Sequence, residues 1–164
     1  MMKIGLISDT HSYLDDAVFK HFDKCDEIWH AGDFGSLALA DQLSSFKPLR
    51  GVYGNIDGSD LRTVYPENIR FKCEEMTVFM THIGGYPGRY DARIREEIYA
   101  NPPGIFISGH SHILKVIYDK KIGSLHLNPG AAGKHGWHKV RTLLRFNISD
   151  KKIHDLEVIE LGNR

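Results

Sequence analysis

The chain has no surplus of charge, no long apolar run and almost no cysteine, and each shortage removes a class of function. Acidic and basic residues number 21 each, for a formal net charge of +0. A neutral protein lacks the positive field that draws in nucleic acid or anionic membrane regardless of sequence. Stable nucleic-acid binding is therefore not expected, although a short nucleotide remains open as a substrate. No apolar stretch nears bilayer-spanning length, so no membrane contact is expected either. Ile4–Ile7 is too short for a secretory signal and runs directly into Asp9. The two cysteines, Cys25 and Cys73, are distant in sequence and have no third soft ligand nearby, so both read as reduced packing residues. A cytoplasmic location is the expectation. Internal repeats, low-complexity segments and linkers are absent too. At 164 residues the chain suits one well-buried core better than two, so residues 1–164 are expected to form a single domain.

What is present is histidine, ten in all, and a regular alternation of patterns. Met2–Ser8 reads as a buried strand ending at Asp9. Ser12 with Asp15 has the spacing of a helix cap, and Leu14, Ala17, Val18, Phe22 and Cys25 recur on one helical face. Asp26–Ala31 is a second strand, closed by Gly32-Asp33. A helix with Leu39, Ala40, Leu43 and Phe46 inward is stopped by Pro48, and Leu49–Tyr53 is a third strand, closed by Gly54-Asn55. Strand, helix, strand, helix, strand implies a parallel sheet with right-handed crossovers. In such sheets ligands sit beyond the carboxyl ends of the strands.

The second half changes character. Ile69–Cys73 and Met76–Thr81 read as strands paired around Glu74-Glu75, the latter ending at His82. A helix with Ile94 and Ile98 inward is broken by Asn101-Pro102-Pro103-Gly104, and Ile105–Ile107 is a buried strand ending at His110. Short β segments follow near Leu114–Tyr118, Leu125–Leu127, Arg141–Ile148 and Ile153–Ile159. Thr142, Leu144, Phe146 and Ile148 alternate as in a half-buried antiparallel strand. An α/β fold with two packed sheets fits this order.

Seven candidate metal ligands stand at the ends of the apolar runs: Asp9 and His11, Asp33, Asn55, His82, and His110 and His112. Singly, Asp9 and Asp33 read as helix caps, Asn55 as a turn residue and His82 equally as a core histidine or a ligand. Together they read as a site for two divalent cations. Asp9 and His11, two apart on an extended backbone, would point to one side, as would His110 and His112. Asp33 could bridge two ions through its two oxygens. Gly32, Gly54 and Gly109 each precede a candidate ligand, where a small residue permits close approach. Mixed nitrogen and oxygen donors suit manganese, iron, zinc or nickel better than calcium or magnesium. Two such ions roughly 3.5–4 Å apart acidify a bridging water, neutralise phosphoryl charge and align in-line attack on a phosphate ester.

Asp9-Thr10-His11, Gly32-Asp33, Gly54-Asn55-Ile56-Asp57, His82 and Gly109-His110-Ser111-His112 resemble the signature of the calcineurin-like metallophosphoesterases. The likeness runs from Ile4 to about Gly130, and Asn128-Pro129-Gly130 is similar to the small prokaryotic phosphodiesterase branch. The resemblance implies a sandwich of two mixed β-sheets flanked by helices (αββα) and a manganese-activated phosphodiesterase acting on a small diester. One metal would take Asp9, His11, Asp33 and His112, and the other Asp33, Asn55, His82 and His110. Asp33, Asn55 and Asp57 would serve the reaction. Many members carry His after the Asn of the third motif, where it helps protonate the leaving group. Here that position is Ile56, while Asp57 keeps the acid that would orient such a His. Good leaving groups, or a metal-bound water as proton source, are therefore expected.

A phosphomonoesterase with the same metal pair and a non-catalytic protein-binding scaffold of the same fold, as in the retromer subunit, are the alternatives. Exposed apolar residues such as Trp137 could also build a homodimer or higher homo-oligomer contact. His30 reads as a buried hydrogen-bonding group. His126, His135 and His138, late in the chain near Lys134, either flank the substrate phosphate or, as the simpler reading, lie on the surface; His21 and His154 read as solvent-facing and Lys151-Lys152 as a hairpin turn. The loop Gly84–Gly88 with Arg89 either borders the substrate or is only a turn.

Overall fold

The computed structural model describes residues 1–164. Its elements are β1 (Met2–Ile7), α1 (Ala17–His21), β2 (Glu27–His30), α2 (Leu37–Phe46), β3 (Leu49–Gly51), α3 (Ser59–Val64), β4 (Asn68–Cys73) and β5 (Met76–Thr81). They continue with β6 (Gly85–Tyr86), β7 (Arg89–Tyr90), α4 (Ala92–Ala100), β8 (Ile105–Ile107), β9 (Lys115–Asp119), β10 (Ser124–Asn128), β11 (Val140–Ser149) and β12 (Lys152–Asn163). No helix is long and apolar enough to cross a membrane.

Two five-stranded mixed sheets form a sandwich. The first has the order β12-β11-β1-β2-β3, with β1, β2 and β3 parallel and β11 antiparallel to β1. The second has the order β4-β5-β8-β10-β9, with β5, β8 and β10 parallel. Strand period decides which side chains go where. In β1, Ile4 and Leu6 join Trp29, Met80, Ile107, Leu127 and Phe146 between the sheets. Ile7 faces the other way, onto Val18 of α1 and Leu39 and Leu43 of α2. Gly5 shares that outer side, where a Cβ would come within 2.6 Å of the Phe22 ring. On the far face of the second sheet, Phe79 and Phe106 pack against Ile94 and Ile98 of α4. The layers are thus helix, sheet, sheet, helix.

Two expectations need correction, and one helix has no counterpart in the sequence pattern. Ser12 caps no helix: it has φ 64° and its N–H donates to the Phe34 carbonyl, while α1 begins only at Ala17, whose N–H donates to Asp15. The chain spends Ser12 on docking against the Asp33 loop instead. Helix α3 leaves no mark in the sequence pattern, because six residues with one buried position, Leu61, carry no readable period. β11 is not half-buried along its whole length. Leu143 is buried on the helix side and Leu144 between the sheets, since β11 lies inside its sheet rather than at an edge.

The hairpin between β4 and β5 closes through two residues only, Cys73 pairing with Met76. Glu74 and Glu75 adopt φ 49° and 65°, the left-handed pair such a tight hairpin requires. Each non-glycine residue held there costs roughly 1–2 kcal/mol. Replacing Glu74-Glu75 by Asn-Gly is expected to raise stability by about 1 kcal/mol. The change should appear as a higher urea midpoint with an unchanged m value.

Candidate metal centre

Parallel strands deliver their carboxyl ends to one edge of a sheet, and here both sheets deliver theirs to the same place. Asp9 and His11 follow β1, Asp33 follows β2 and Asn55 follows β3, while His82 follows β5, and His110 and His112 follow β8. The structure brings all seven together. Ligand atoms of Asp9, His11 and His112 lie within 4.8 Å of one another, as do those of Asp33, His82 and His110. The two groups meet at Asp33 Oδ2, which is 3.3 Å from His11 Nε2 and 3.1 Å from His82 Nε2. Asp9 Oδ1 lies 3.2 Å from His112 Nε2 and 3.7 Å from His82 Nε2. Asn55 joins through its Oδ1, 3.0 Å from His110 Nδ1.

The backbone does not reach this arrangement by extension. Asp9, His11, Asp33, His110 and His112 all have positive φ, between 45° and 70°. Asp9 and His11 share a side because the chain turns left-handed at each, not because they are two apart on a strand. The turns are held by a ladder beyond the strand ends: the N–H groups of Asp9, His11 and Ser12 donate to the carbonyls of Gly32, Asp33 and Phe34. Such conformations persist only where surrounding contacts impose them, and they gather at functional sites. Gly54 and Gly109 lie so close to the Asp33 and Asp9 carboxylates that neither position has room for a Cβ.

Each carboxylate is half occupied by the protein. Asp9 Oδ2 accepts from Ser8 Oγ at 2.7 Å and from the His110 N–H at 3.1 Å, leaving Oδ1 free. Asp33 Oδ1 accepts from the Ile56 N–H at 3.1 Å, leaving Oδ2. Only one Asp33 oxygen is therefore open toward both groups, rather than one for each. His82 donates Nδ1–H to the Ala31 carbonyl at 2.7 Å, which turns the Nε2 lone pair toward the carboxylates. Asp9 Oδ1, His11 Nε2 and His82 Nε2 are buried with no hydrogen-bond partner. Buried polar atoms are seldom left orphaned. Donors about 2.1 Å from a shared ion stand roughly 3–4 Å from each other, which is the spacing here, so the cluster fits a divalent cation in each group.

The carboxylates and imidazoles of the cluster also act on one another. Burial pushes the Asp9 and Asp33 carboxyls up, but the surrounding imidazoles outweigh it and hold both well below the usual carboxylate range. The carboxylates of Asp33 and Asp9 beside its ring lift His11 to about 9. His82 is drawn down by burial and raised on balance by Asp33 and Asp9.

Asp57 acts through the backbone. Both its oxygens are engaged, Oδ2 by the N–H groups of Gly54 and Phe34 and Oδ1 by that of Gly35, at 2.8–3.2 Å. Instead of orienting a side chain at position 56, it clamps the loop carrying Asp33 to the loop carrying Asn55. His30 is buried and neutral, its pKa pushed down to about 3 by burial. Its Nδ1 accepts from the Gly32 N–H, so Nε2–H donates to Thr10 Oγ1, and its ring stacks on Phe34 at 3.7 Å. His126 is fully buried beneath Phe106, not a surface residue, because β10 is an inner strand. His135 is exposed and stacks on His11 at 4.7 Å. His138 is half-buried, with Nε2 2.8 Å from the Gly133 carbonyl. The Gly84–Gly88 loop forms the small hairpin of β6 and β7, and Tyr86 and Arg89 line a cleft with His110. Sequence reasoning passed over Ser8, Thr10 and the Asn128 side chain, which donates to the Gly109 carbonyl. Small polar residues beside a ligand motif were the available signal.

Residues 2–151 match the model of the calcineurin-like phosphoesterase superfamily domain, and the chain belongs to that family. A probable metallophosphoesterase of Methanothermobacter thermautotrophicus is 32% identical over 138 residues, 79% of this chain and 77% of that protein. A phosphodiesterase of Methanocaldococcus jannaschii is 27% identical over 146 residues, 79% of this chain and 83% of that protein. Among solved structures, a novel archaeal phosphodiesterase superposes with a TM-score of 0.78 at 22% identity, covering 98% of this chain and 100% of that one. Vps29 of Entamoeba histolytica complexed with zinc superposes with a TM-score of 0.75 at 16% identity, covering 98% and 99%.

The lifted His11 pKa has a consequence for the metal-stripped protein. Folding raises it from 6.5 to about 9, so its stabilising contribution is complete below about pH 6.5 and is lost as pH rises toward 9. The thermal midpoint of the metal-stripped protein is expected to fall across that interval. His11→Gln should flatten the fall, which a pH series of melting curves will reveal.

Proposed function

We propose that this chain is a phosphodiesterase whose donor cluster holds two divalent cations. Asp9, His11, Asp33 and His112 would hold one, and Asp33, Asn55, His82 and His110 the other. One observation carries the reading: Asp33 Oδ2 is approached by His11 Nε2 from one group and His82 Nε2 from the other, and both ring nitrogens, with Asp9 Oδ1, are buried without a hydrogen-bond partner. The mixed donor set suits a first-row transition metal, with manganese as our choice and iron, zinc or nickel as the alternatives. Bound there, the pair supplies Lewis acidity, which activates water and draws charge from the phosphoryl oxygens.

The chain's own residues account for the rest. Asp57 fixes the distance between the Asp33 and Asn55 loops, and the Ile56 N–H sets the tilt of Asp33. The Ile56 side chain offers the leaving group no proton, which favours esters whose alcohols depart unaided. Asn55 lies between two clefts. One, of about 210 Å³, is lined by Tyr53, Arg62, His82 and Arg93. The other, of about 260 Å³, is lined by Ile56, His110, His135 and Trp137. A diester has two ester arms to place and a monoester only one, so a centre flanked on both sides supports the diester reading.

The fold is also that of Vps29, which keeps a binding-scaffold reading in view. Metal-stripped protein reloaded with Mn²⁺ and assayed on bis(4-nitrophenyl) phosphate and 4-nitrophenyl phosphate separates the readings. The diester is expected to be the better substrate. Metal uptake without turnover of either ester favours the scaffold.

Asp33→Asn is expected to lower both metal content and turnover, the latter by more than roughly 100-fold. Wild-type rates in that variant would refute the shared-ligand reading. Ile56→His is expected to speed hydrolysis of diesters with poor leaving groups by about 10²-fold, the lower range for a positioned acid. A wild-type rate independent of leaving-group pKa would contradict the missing proton donor.

A further inference from the structure

Trp137 is the most exposed large apolar side chain in the molecule, 99% accessible. A single exposed apolar residue ordinarily needs no explanation. The loop that carries this one is anchored beside the donor cluster. Trp137 sits in the loop between β10 and β11, whose start is tied to the first ligand motif: the Ala132 and Gly133 N–H groups donate to the Ser8 and Asp9 carbonyls, each at 3.0 Å. The loop's end is tied as well, the Lys139 carbonyl accepting from the Arg164 N–H at 3.0 Å. Between these anchors the loop lies directly on two candidate ligands. His135 stacks on the His11 ring, and Gly136 packs so tightly on the His112 ring that a Cβ would collide with it. Trp137 is the next residue.

The cleft that Trp137 borders is lined mainly by polar groups, among them His11, Asp33, Asn55, His110 and His112. Its two apolar members are Trp137 and Ile56, and Ile56 is itself 46% exposed. Both keep apolar surface in water at the mouth of the site, although nothing in the core requires either side chain there. A flat π face is what binds another ring, through stacking that is indifferent to hydrogen-bond pattern.

We propose that Trp137, with Ile56 on the same cleft, is a specificity-determining surface that stacks on a planar aromatic ester arm, so that the preferred phosphate ester carries an aryl group or a nucleobase. The inference rests on the metal-centred phosphoesterase reading for the position of the phosphate. The shared requirement is an aromatic ring attached close to the phosphorus.

The test uses monoesters as binding probes on the Mn²⁺-loaded protein. Phenyl phosphate and adenosine 5′-monophosphate carry a ring, whereas ethyl phosphate and ribose 5-phosphate are their counterparts without one. The chain has two tryptophans, and Trp29 is fully buried, so iodide-quenchable emission reports Trp137. Both ring-bearing probes are expected to quench that emission and to bind about 5- to 10-fold more tightly than their counterparts. Trp137→Ala, read by calorimetry, should abolish the advantage, and Trp137→Phe should keep most of it. An advantage limited to one probe identifies the source of the ring, aryl or nucleobase. Equal affinities with and without a ring, or an advantage that survives Trp137→Ala, would overturn the proposal. Its failure is distinct from that of the phosphodiesterase reading. Ring preference without diester turnover sinks only the latter, and turnover without ring preference sinks only the former.

Discussion

Asp33 Oδ1 is fixed by the Ile56 N–H while Oδ2 faces His11 from the first sheet and His82 from the second, and the rest of the site is arranged around that contact. A carboxylate taken out of water needs partners that hold opposite charge or a cation. The sandwich provides them from both of its sheets, so the packing between the sheets sets the distance across the centre. Interiors at crystal-like density change shape reluctantly. Ile4, Leu6, Met80 and Ile107, which fill the space between the sheets, therefore bear on the geometry of the donor cluster without touching it.

The cluster is costly to the fold. Five of its side chains stand on left-handed backbone, and several of its donor atoms have no protein partner. The supporting hydrogen bonds run in the other direction. Asp57 gathers three N–H groups, His30 joins Thr10 to Gly32, and Ser8 occupies the spare oxygen of Asp9. None of these touches the open donor atoms. They keep the motif loops from relaxing into conformations that would suit the chain better and the site worse. Superposition with Vps29 at 16% identity shows that the same frame can be kept while most side chains change, so function has to be argued from the side chains.

Much of this was legible in the sequence because two periodicities reinforce each other. Apolar runs of strand length alternate with helical faces up to Tyr53, and each run ends in a residue with a donor atom, so topology and chemistry point to one edge. What stayed hidden depends on conformation or on neighbours distant in sequence. No residue type announces φ 54° at Asp9 or 61° at His112. Asp57 reads as part of a catalytic pair until its oxygens are seen on backbone N–H groups, a pattern available to any buried Asp. His126 looks like surface because polar residues usually are, and only its place on an inner strand buries it. Ser12 and Asp15 satisfy a capping pattern that the docking of Ser12 onto Phe34 overrides.

The pairing of β1 with β11 places the first strand beside a segment near the other end of the chain, Ile4 opposite Phe146. The carbonyls of Ser8 and Asp9 likewise wait for Ala132 and Gly133. A polypeptide emerging from the ribosome therefore cannot pair β1 with β11 until residues more than a hundred positions later are out, and contacts of such long sequence separation slow folding. The support that Ala132 and Gly133 give the Asp9 turn is therefore absent until that late segment has docked, and the chain before it carries its donor residues scattered.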